Sequence, residues 1–144
     1  MKQKFGIAAA ICLLASQALA DPSQWAGLAT FAGTYPAAGL MKSPLVQNQL
    51  KALLSPKDRT RLSEMSVSPP VSAIGSDLLA QFCLPHDCAS QSAVLVVDPA
   101  RQRLWIGFYN NDRNRVQMDW SGNDDPADVP ANIQKQLAKI HSPF

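Results

Sequence analysis

The chain has 144 residues, which is the length of one ordinary domain and too short for two. Hydrophobic residues make up 47% of it and charged residues 17%, a balance that excludes an intrinsically disordered chain. The formal net charge of +2 is far from the basic excess of nucleic-acid-binding domains, so we expect no nucleic-acid partner.

The first 20 residues have the three-part pattern of a secretory signal peptide. Lys2 and Lys4 precede an apolar run from Phe5 to Leu14, and Ala18-Leu19-Ala20 places small residues at positions −3 and −1 of a cleavage site. The apolar run is too short to span a bilayer as a stable helix. We therefore expect a signal that is cleaved on export and no membrane anchor.

Cleavage would leave residues 21–144 as a single domain. The two lysines of the signal are among 13 basic residues, so 11 basic residues would remain against 11 acidic ones, and the net charge would be zero. Cys12 would leave with the signal. The remaining pair, Cys83 and Cys88, would meet an oxidising compartment, where an even pair is expected to form a disulfide.

The first part of this domain is predicted to be helical. Residues 21–42 are rich in Ala and Gly, and Trp25 and Phe31 are expected to dock them on the core. A helix is predicted to start at Ser43, whose side chain can cap the first free amides, with Pro44 at the first helical position. Ser55-Pro56 ends that helix and is expected to cap a second short turn through Met65.

The periodicity then changes to that of β-strands. Four segments are rich in β-branched, aromatic and aliphatic residues: Leu78–Cys83, Ala93–Val97, Leu104–Tyr109 and Val116–Trp120. Short polar turns at 98–101 and 110–114 separate the last three, and connections this short join antiparallel neighbours.

The apolar pattern also indicates where these elements lie. Ala93–Val97 is apolar throughout, as in a central strand, whereas the alternation in Leu104–Tyr109 predicts one core face and one partly exposed face. A C-terminal helix is predicted over Ile133–Ile140. The fold class is therefore α+β, with an antiparallel meander sheet and helices from both ends of the chain.

The densest group of chemically distinctive residues is the string from Cys83 to Cys88. A disulfide would close this loop directly after a strand and constrain the unfolded chain by about 2 kcal/mol. Pro85 restricts φ further. His86 would thus be held at the tip of a rigid projection, beside the carboxylate of Asp87.

The residues of this loop argue against several kinds of site. A metal site needs three or four ligands, and only His86 and His141 are available beyond the signal. Thiol redox sites have CxxC rather than CxxxxC spacing, and neither a serine elbow nor a paired-carboxylate motif is present. We therefore expect no catalytic residue, metal or cofactor. A plain surface turn and a rigid plug for a partner's cleft both remain open.

The string Cys83-Leu84-Pro85-His86-Asp87-Cys88 resembles the active-site loop, C-x-P-H-D-C, of the inhibitor of vertebrate lysozyme family. These are periplasmic proteins of Gram-negative bacteria. The order of signal, strand, loop, apolar strand and hairpin is similar over most of the predicted domain. The resemblance implies a periplasmic protein with an antiparallel sheet and helices packed on one side. Leu84 departs from the family, where a polar residue, often lysine, is expected.

The resemblance also implies a C-type lysozyme as partner. Such enzymes cleave a glycoside with two carboxyl groups, one a raised-pKa acid and the other ionised. His86 as an imidazolium would bond to both, while Asp87 orients the loop or contacts the rim of the cleft. The predicted partner-binding residues are Leu84, Pro85, His86 and Asp87, and the predicted disulfide joins Cys83 to Cys88. An endogenous lytic transglycosylase is a second candidate partner.

The alternative function is a periplasmic peptidoglycan- or glycan-binding module. It would use exposed rings of Trp25, Trp105 and Trp120, which are otherwise expected in the core or on a sheet face. The acidic run from Asp119 to Asp128 is interpreted as a solvated loop or as a patch that attracts a basic lysozyme. The sequence gives no indication of an oligomeric state.

Overall fold

The fold is seen in a computed structural model that describes residues 21–112 and 115–140, without the side chains of 111–117. The predicted signal peptide, with Cys12, and His141 near the C-terminus lie outside the described residues.

The described residues form one antiparallel sheet in which every strand pairs with its neighbours in sequence. The strands are β1 (Ser72–Ile74), β2 (Asp77–Cys83), β3 (Gln91–Asp98), β4 (Arg103–Asp112) and β5 (Arg115–Gly122). The α+β class, the meander order and the four predicted strands are confirmed. The structure adds β1, which has only three residues and is therefore too short to show an alternating pattern.

Four α-helices are described: α1 (Pro22–Gly27), α2 (Pro44–Leu53), α3 (Pro56–Glu64) and α4 (Ala131–Ile140). Short 3-10 turns lie at Leu28–Phe31, Pro36–Ala38, Leu40–Lys42 and Pro126–Asp128. Both α2 and α3 begin at the predicted prolines. The Ser55 side chain accepts from the backbone N–H of Asp58 at 3.1 Å and so caps α3. The predicted side-chain cap at Ser43 is wrong, because that residue makes no such hydrogen bond.

The expectation that the helices pack on one side of the sheet is wrong. One face of the sheet is buried against α1, α2 and α3, with core residues that include Trp25, Leu50, Leu62, Ala80, Leu95 and Ile106. The opposite face is buried against α4 and the turn before it, through Leu79, Val94, Val96, Trp105, Val129, Ile133 and Leu137. Successive strand residues point to opposite faces, so the uniformly apolar β3 needs a cover on both.

The prediction that β4 has one buried and one partly exposed face is also wrong. Trp105 and Tyr109 are both buried, and Trp105 belongs to the core on the α4 side. Room for the large rings comes from glycines on the neighbouring strand positions. A Cβ on Gly107 would lie 2.8 Å from Met118 Sδ and 2.9 Å from the Trp120 ring, and one on Gly122 would collide with the Trp105 indole. The Trp105 ring therefore packs over Gly122, and the Trp120 ring packs over Gly107.

A buried acidic pair lies at one end of the sheet. Asp77 is 6% exposed and Asp98 3% exposed. Asn132 on α4 donates to Ile74 O at 2.9 Å and to Asp77 Oδ2 at 3.3 Å, while Arg101 pairs with Asp98. Burial raises the pKa of Asp77, and the nearby charge of Asp98 adds to this, whereas the Asn132 hydrogen bond opposes it. Ionisation of Asp77 therefore destabilises the folded protein at the place where α4 meets the sheet.

Replacing Asp77 by Asn should stabilise the protein relative to the wild type, and this difference should grow as the pH rises. A folded-state pKa raised above the unfolded value gives stability at low pH that is lost as pH rises through the folded-state pKa. Asp77→Asn removes this loss and keeps an oxygen that accepts from Asn132. We expect the urea midpoint of the variant to gain on the wild type between about pH 4 and pH 7. Asp128→Asn, at an exposed position, serves as the control. A difference in urea midpoint between Asp77→Asn and the wild type that does not change with pH would contradict the raised pKa of Asp77.

Candidate functional site

The six-residue string forms the connection between β2 and β3. Cys83 is the last residue of β2, and the backbone N–H of Leu84 donates to Gln91 O, at the start of β3, at 3.4 Å. Cys83 and Cys88 are joined by a disulfide, as predicted. The loop therefore projects from one end of the sheet, with its two ends held together.

A tight turn forms the tip of the loop. The backbone N–H of Asp87 donates to Leu84 O at 3.1 Å, which closes a four-residue turn with Pro85 and His86 at its centre. His86 has φ +67°. Proline at the second position and a positive φ at the third are the pattern of a type II turn. His86 therefore occupies a left-handed position that glycine or asparagine ordinarily fills, which is a strained backbone conformation for histidine.

A second set of backbone hydrogen bonds supports the other half of the loop. Asp87 O accepts from the N–H of Ser90 at 3.3 Å and from that of Gln91 at 3.0 Å. Asp87 is thus the residue on which both turns are built. The conformation of the loop rests on these backbone bonds as well as on the disulfide.

The predicted partner-binding residues differ in how they face solvent. Pro85 and His86 are exposed, and Asp87 is half-buried. Leu84 is also half-buried and packs against the core on the side of α1, α2 and α3. The structure brings all four residues together in one turn. It also gives Leu84 a role that sequence reasoning missed, since an apolar side chain here anchors the loop to the core.

The base of the loop is held on its outer side by a second segment. Val67 forms an isolated bridge with Cys83, donating to Cys83 O at 3.2 Å and accepting from its N–H at 2.9 Å. On the inner side Cys83 pairs with Ser92 of β3. The sequence gives no indication of this bridge, because Val67 is followed at once by Ser68-Pro69-Pro70, a sequence typical of a loop.

A polar chain lies near the other end of the loop. The Arg61 guanidinium lies 4.9 Å from the centroid of the Phe108 ring and donates to Asn110 Oδ1. Asn110 donates in turn to Asp119 Oδ2 at 3.4 Å and is the register partner of Gln91. Arg61 therefore ties α3 to β4, and through Asn110 to β5, beside the loop.

The tryptophans do not form the platform that a glycan-binding module needs. Trp25 is 3% exposed and Trp105 is fully buried, and they belong to the cores on opposite faces of the sheet. Trp120 is half-buried over Gly107. Stacking on a sugar ring requires an exposed aromatic face, so the buried positions of Trp25 and Trp105 argue against this alternative.

The acidic run is partly used inside the fold. Asp124 forms an ion pair with Arg103, and Asp125 Oδ1 accepts from the N–H of Ala127 at 2.8 Å. These contacts fix the connection between β5 and α4. The interpretation of the run as an attractive patch for a basic enzyme remains a prediction.

Neither a metal centre nor a membrane span is found in the described part of the chain. Within residues 21–112 and 115–140, no group of three or more His, Cys, Asp or Glu side chains is arranged to hold a metal ion. None of the helices described there is long and apolar enough to cross a bilayer.

The fold and the loop together define a class of protein. A doubly covered sheet that presents one disulfide-closed, hydrogen-bonded loop with an exposed imidazole is suited to occupying a partner's cleft. A model of the inhibitor of vertebrate lysozyme (Ivy) family matches residues 46–143, more than half of the chain, including the loop. The chain belongs to this family, as its resemblance predicted. Searches of curated proteins and of solved structures gave no significant match.

Family membership sets the general function. The family consists of inhibitors rather than enzymes, and membership implies inhibition of lysozyme, with lysozyme as the protein partner.

Removing the disulfide should lower stability while leaving the backbone turns in place. For the double variant Cys83→Ser/Cys88→Ser we expect the free energy of unfolding to fall by about 2 kcal/mol, because the unfolded chain is no longer constrained. Urea unfolding of the variant and of the wild type measures this difference. The wild type under a thiol reductant is the matched control and should behave like the variant. Equal stability of oxidised wild type and variant would contradict the prediction.

Proposed function

We propose that this protein inhibits C-type lysozyme by inserting the loop from Cys83 to Cys88 into the catalytic cleft, with His86 between the two catalytic carboxyl groups. The observation that supports the proposal is the position of His86. It is exposed, at a positive φ, at the centre of a turn closed by both hydrogen bonds and a disulfide.

The chemistry of the two partners is complementary. Lysozyme holds two carboxyl groups about 5 Å apart across the scissile bond, one of them ionised and the other with a raised pKa. An imidazolium donates through both ring nitrogens, one on each side of the ring. It can therefore donate one charge-assisted hydrogen bond to each carboxyl group, and such bonds are about twice as strong as neutral ones. The same contact blocks both groups that perform hydrolysis.

Pre-organisation adds to the affinity. A loop that is free before binding must lose conformational entropy on association, at about 0.5–1.5 kcal/mol for each side chain immobilised, with a further backbone contribution. Here the backbone from Leu84 to Gln91 is already fixed by hydrogen bonds, and Leu84 is anchored in the core. We propose that Asp87 keeps the turn in register through its backbone and that Pro85 contacts the wall of the cleft beside His86.

We also propose that the working form is periplasmic. In this proposal residues 1–20 are a signal peptide that is removed on export in a Gram-negative cell, and residues 21–144 are a single inhibitor domain. The disulfide supports this location, because disulfides persist in oxidising compartments such as the periplasm. A lytic transglycosylase of the same compartment is proposed as a second target.

His86 should be required for inhibition for its imidazole and not for its backbone shape. His86→Asn keeps a residue that tolerates a positive φ but removes the imidazolium, so two charge-assisted bonds are lost. We expect inhibition to be at least about 100-fold weaker, measured as the inhibitor concentration that halves clearing of a cell-wall suspension by a C-type lysozyme. The same titration against a purified lytic transglycosylase tests the second target.

His86→Gly is the matched variant for the backbone. Glycine adopts a positive φ without strain, so we expect stability to be equal to or higher than that of the wild type while inhibition is lost. Undiminished inhibition by both variants would show that His86 does not enter the cleft.

Export should leave a defined N-terminus. When the full chain is expressed in a Gram-negative host, we expect the protein in the periplasmic fraction to begin at Asp21, because the small residues at 18 and 20 direct cleavage there. Mass spectrometry of the intact protein gives the cleavage position and shows whether the disulfide has formed. Recovery of the uncleaved chain from the cytoplasm alone would contradict the proposal.

A further inference from the structure

We infer that Val67, beside the Cys83–Cys88 disulfide, forms an apolar shoulder that packs against a hydrophobic side chain on the lip of the partner's cleft. This inference rests on the proposed function. The shoulder adds a second contact to the proposed insertion of His86, and it places a chemical requirement on the partner.

The register of the bridge places Val67 beside the disulfide. Residues directly opposite each other in an antiparallel pair point to the same face, with Cβ atoms about 4.5–5.5 Å apart. Val67 lies opposite Cys83, and both backbone hydrogen bonds of the pair are made. The side chain of Val67 is therefore on the same face as the sulfur of Cys83, next to its bond with Cys88.

Val67 is exposed although it is apolar. It retains 44% of its accessible surface, and Cys88 is exposed as well. Among the described residues the large exposed hydrophobic side chains are those of Tyr35, Val67 and Ile140. Of these three, Val67 is the residue whose backbone is bonded to the base of the loop. A single exposed valine elsewhere needs no explanation, but this one adjoins the proposed contact.

The surrounding backbone favours a side-chain contact over strand addition. Pro69 and Pro70 follow Val67 by two and three residues, and proline cannot donate to a ladder. Val71 turns inward and pairs with Thr34, to which its N–H donates at 2.8 Å. The edge next to the loop is therefore interrupted, and a partner meets the side chain of Val67 rather than a row of free backbone groups.

The shoulder specifies the chemistry of the facing surface. Val67 and a disulfide sulfur offer no charge and no strong hydrogen-bond donor, so a charged lip would lose hydration without compensation. An aliphatic or aromatic side chain would instead bury the remaining exposed surface of Val67. The partner is therefore an enzyme whose acidic cleft, which receives His86, is bordered on one side by a hydrophobic residue.

The test compares two substitutions of Val67 in the disulfide-bonded protein. Val67→Thr keeps the shape and the β-branch but replaces a methyl group by a hydroxyl, and we expect the Kd for a C-type lysozyme to rise about three- to fivefold. Val67→Asp places an anion beside an acidic cleft, and we expect a rise of at least about tenfold. Ile140→Thr, at an exposed position on α4, is the control and should leave the Kd unchanged. Urea midpoints verify folding, and the threonine variant decides the result if the aspartate variant does not fold.

The outcomes separate this inference from the proposed function. Wild-type affinity in both Val67 variants, together with loss of binding in His86→Asn, would overturn the shoulder contact and leave the inhibitory loop intact. Weaker binding of Val67→Thr with unchanged binding of His86→Asn would support the shoulder and reject insertion of the histidine. The threonine effect should persist at high salt, since it comes from apolar burial; a loss that salt abolishes would contradict the apolar contact.

Discussion

The burial of β3 on both faces is the constraint on which the rest of the molecule depends. Its residues hydrogen-bond to β2 on one side and β4 on the other, and most of its side chains are fully buried. A strand with two apolar faces needs two covers. The helices from the N-terminal part supply one and α4 supplies the other. The loop connects β2 to β3, so its base belongs to the hydrogen-bonded pair formed by these two strands.

The same constraint holds the base of the proposed inhibitory loop in place. Cys83 is paired with Ser92 inside the sheet and with Val67 outside it, and Leu84 reaches back into the core. The strain of a left-handed histidine is sustained because these neighbours determine the path of the backbone on every side. A base held by its neighbours and an exposed tip at Pro85 and His86 are what the proposed insertion into a cleft requires.

Much of this was predictable from the sequence. The strands, the helix starts at prolines, the disulfide and the family could be inferred because alternation, turn residues and a distinctive loop string are local signals. The positions of α4 and Val67 could not, since each depends on which distant segment covers a surface. The exposed face predicted for Trp105 was wrong because room for its ring comes from Gly122, on another strand. The positive φ of His86 is set by turn closure, which its neighbours in sequence allow but do not dictate.

The strictly sequential order of the strands has a consequence for how the protein reaches its oxidised state. Because β2 and β3 are consecutive and antiparallel, closing this hairpin brings the two cysteines together without help from distant parts of the chain. Local pairing of this kind forms early and fast in folding. Under the proposed export, Cys12 leaves with residues 1–20, and Cys83 and Cys88 are the two cysteines that remain. Formation of this disulfide would then require an oxidant but no isomerase.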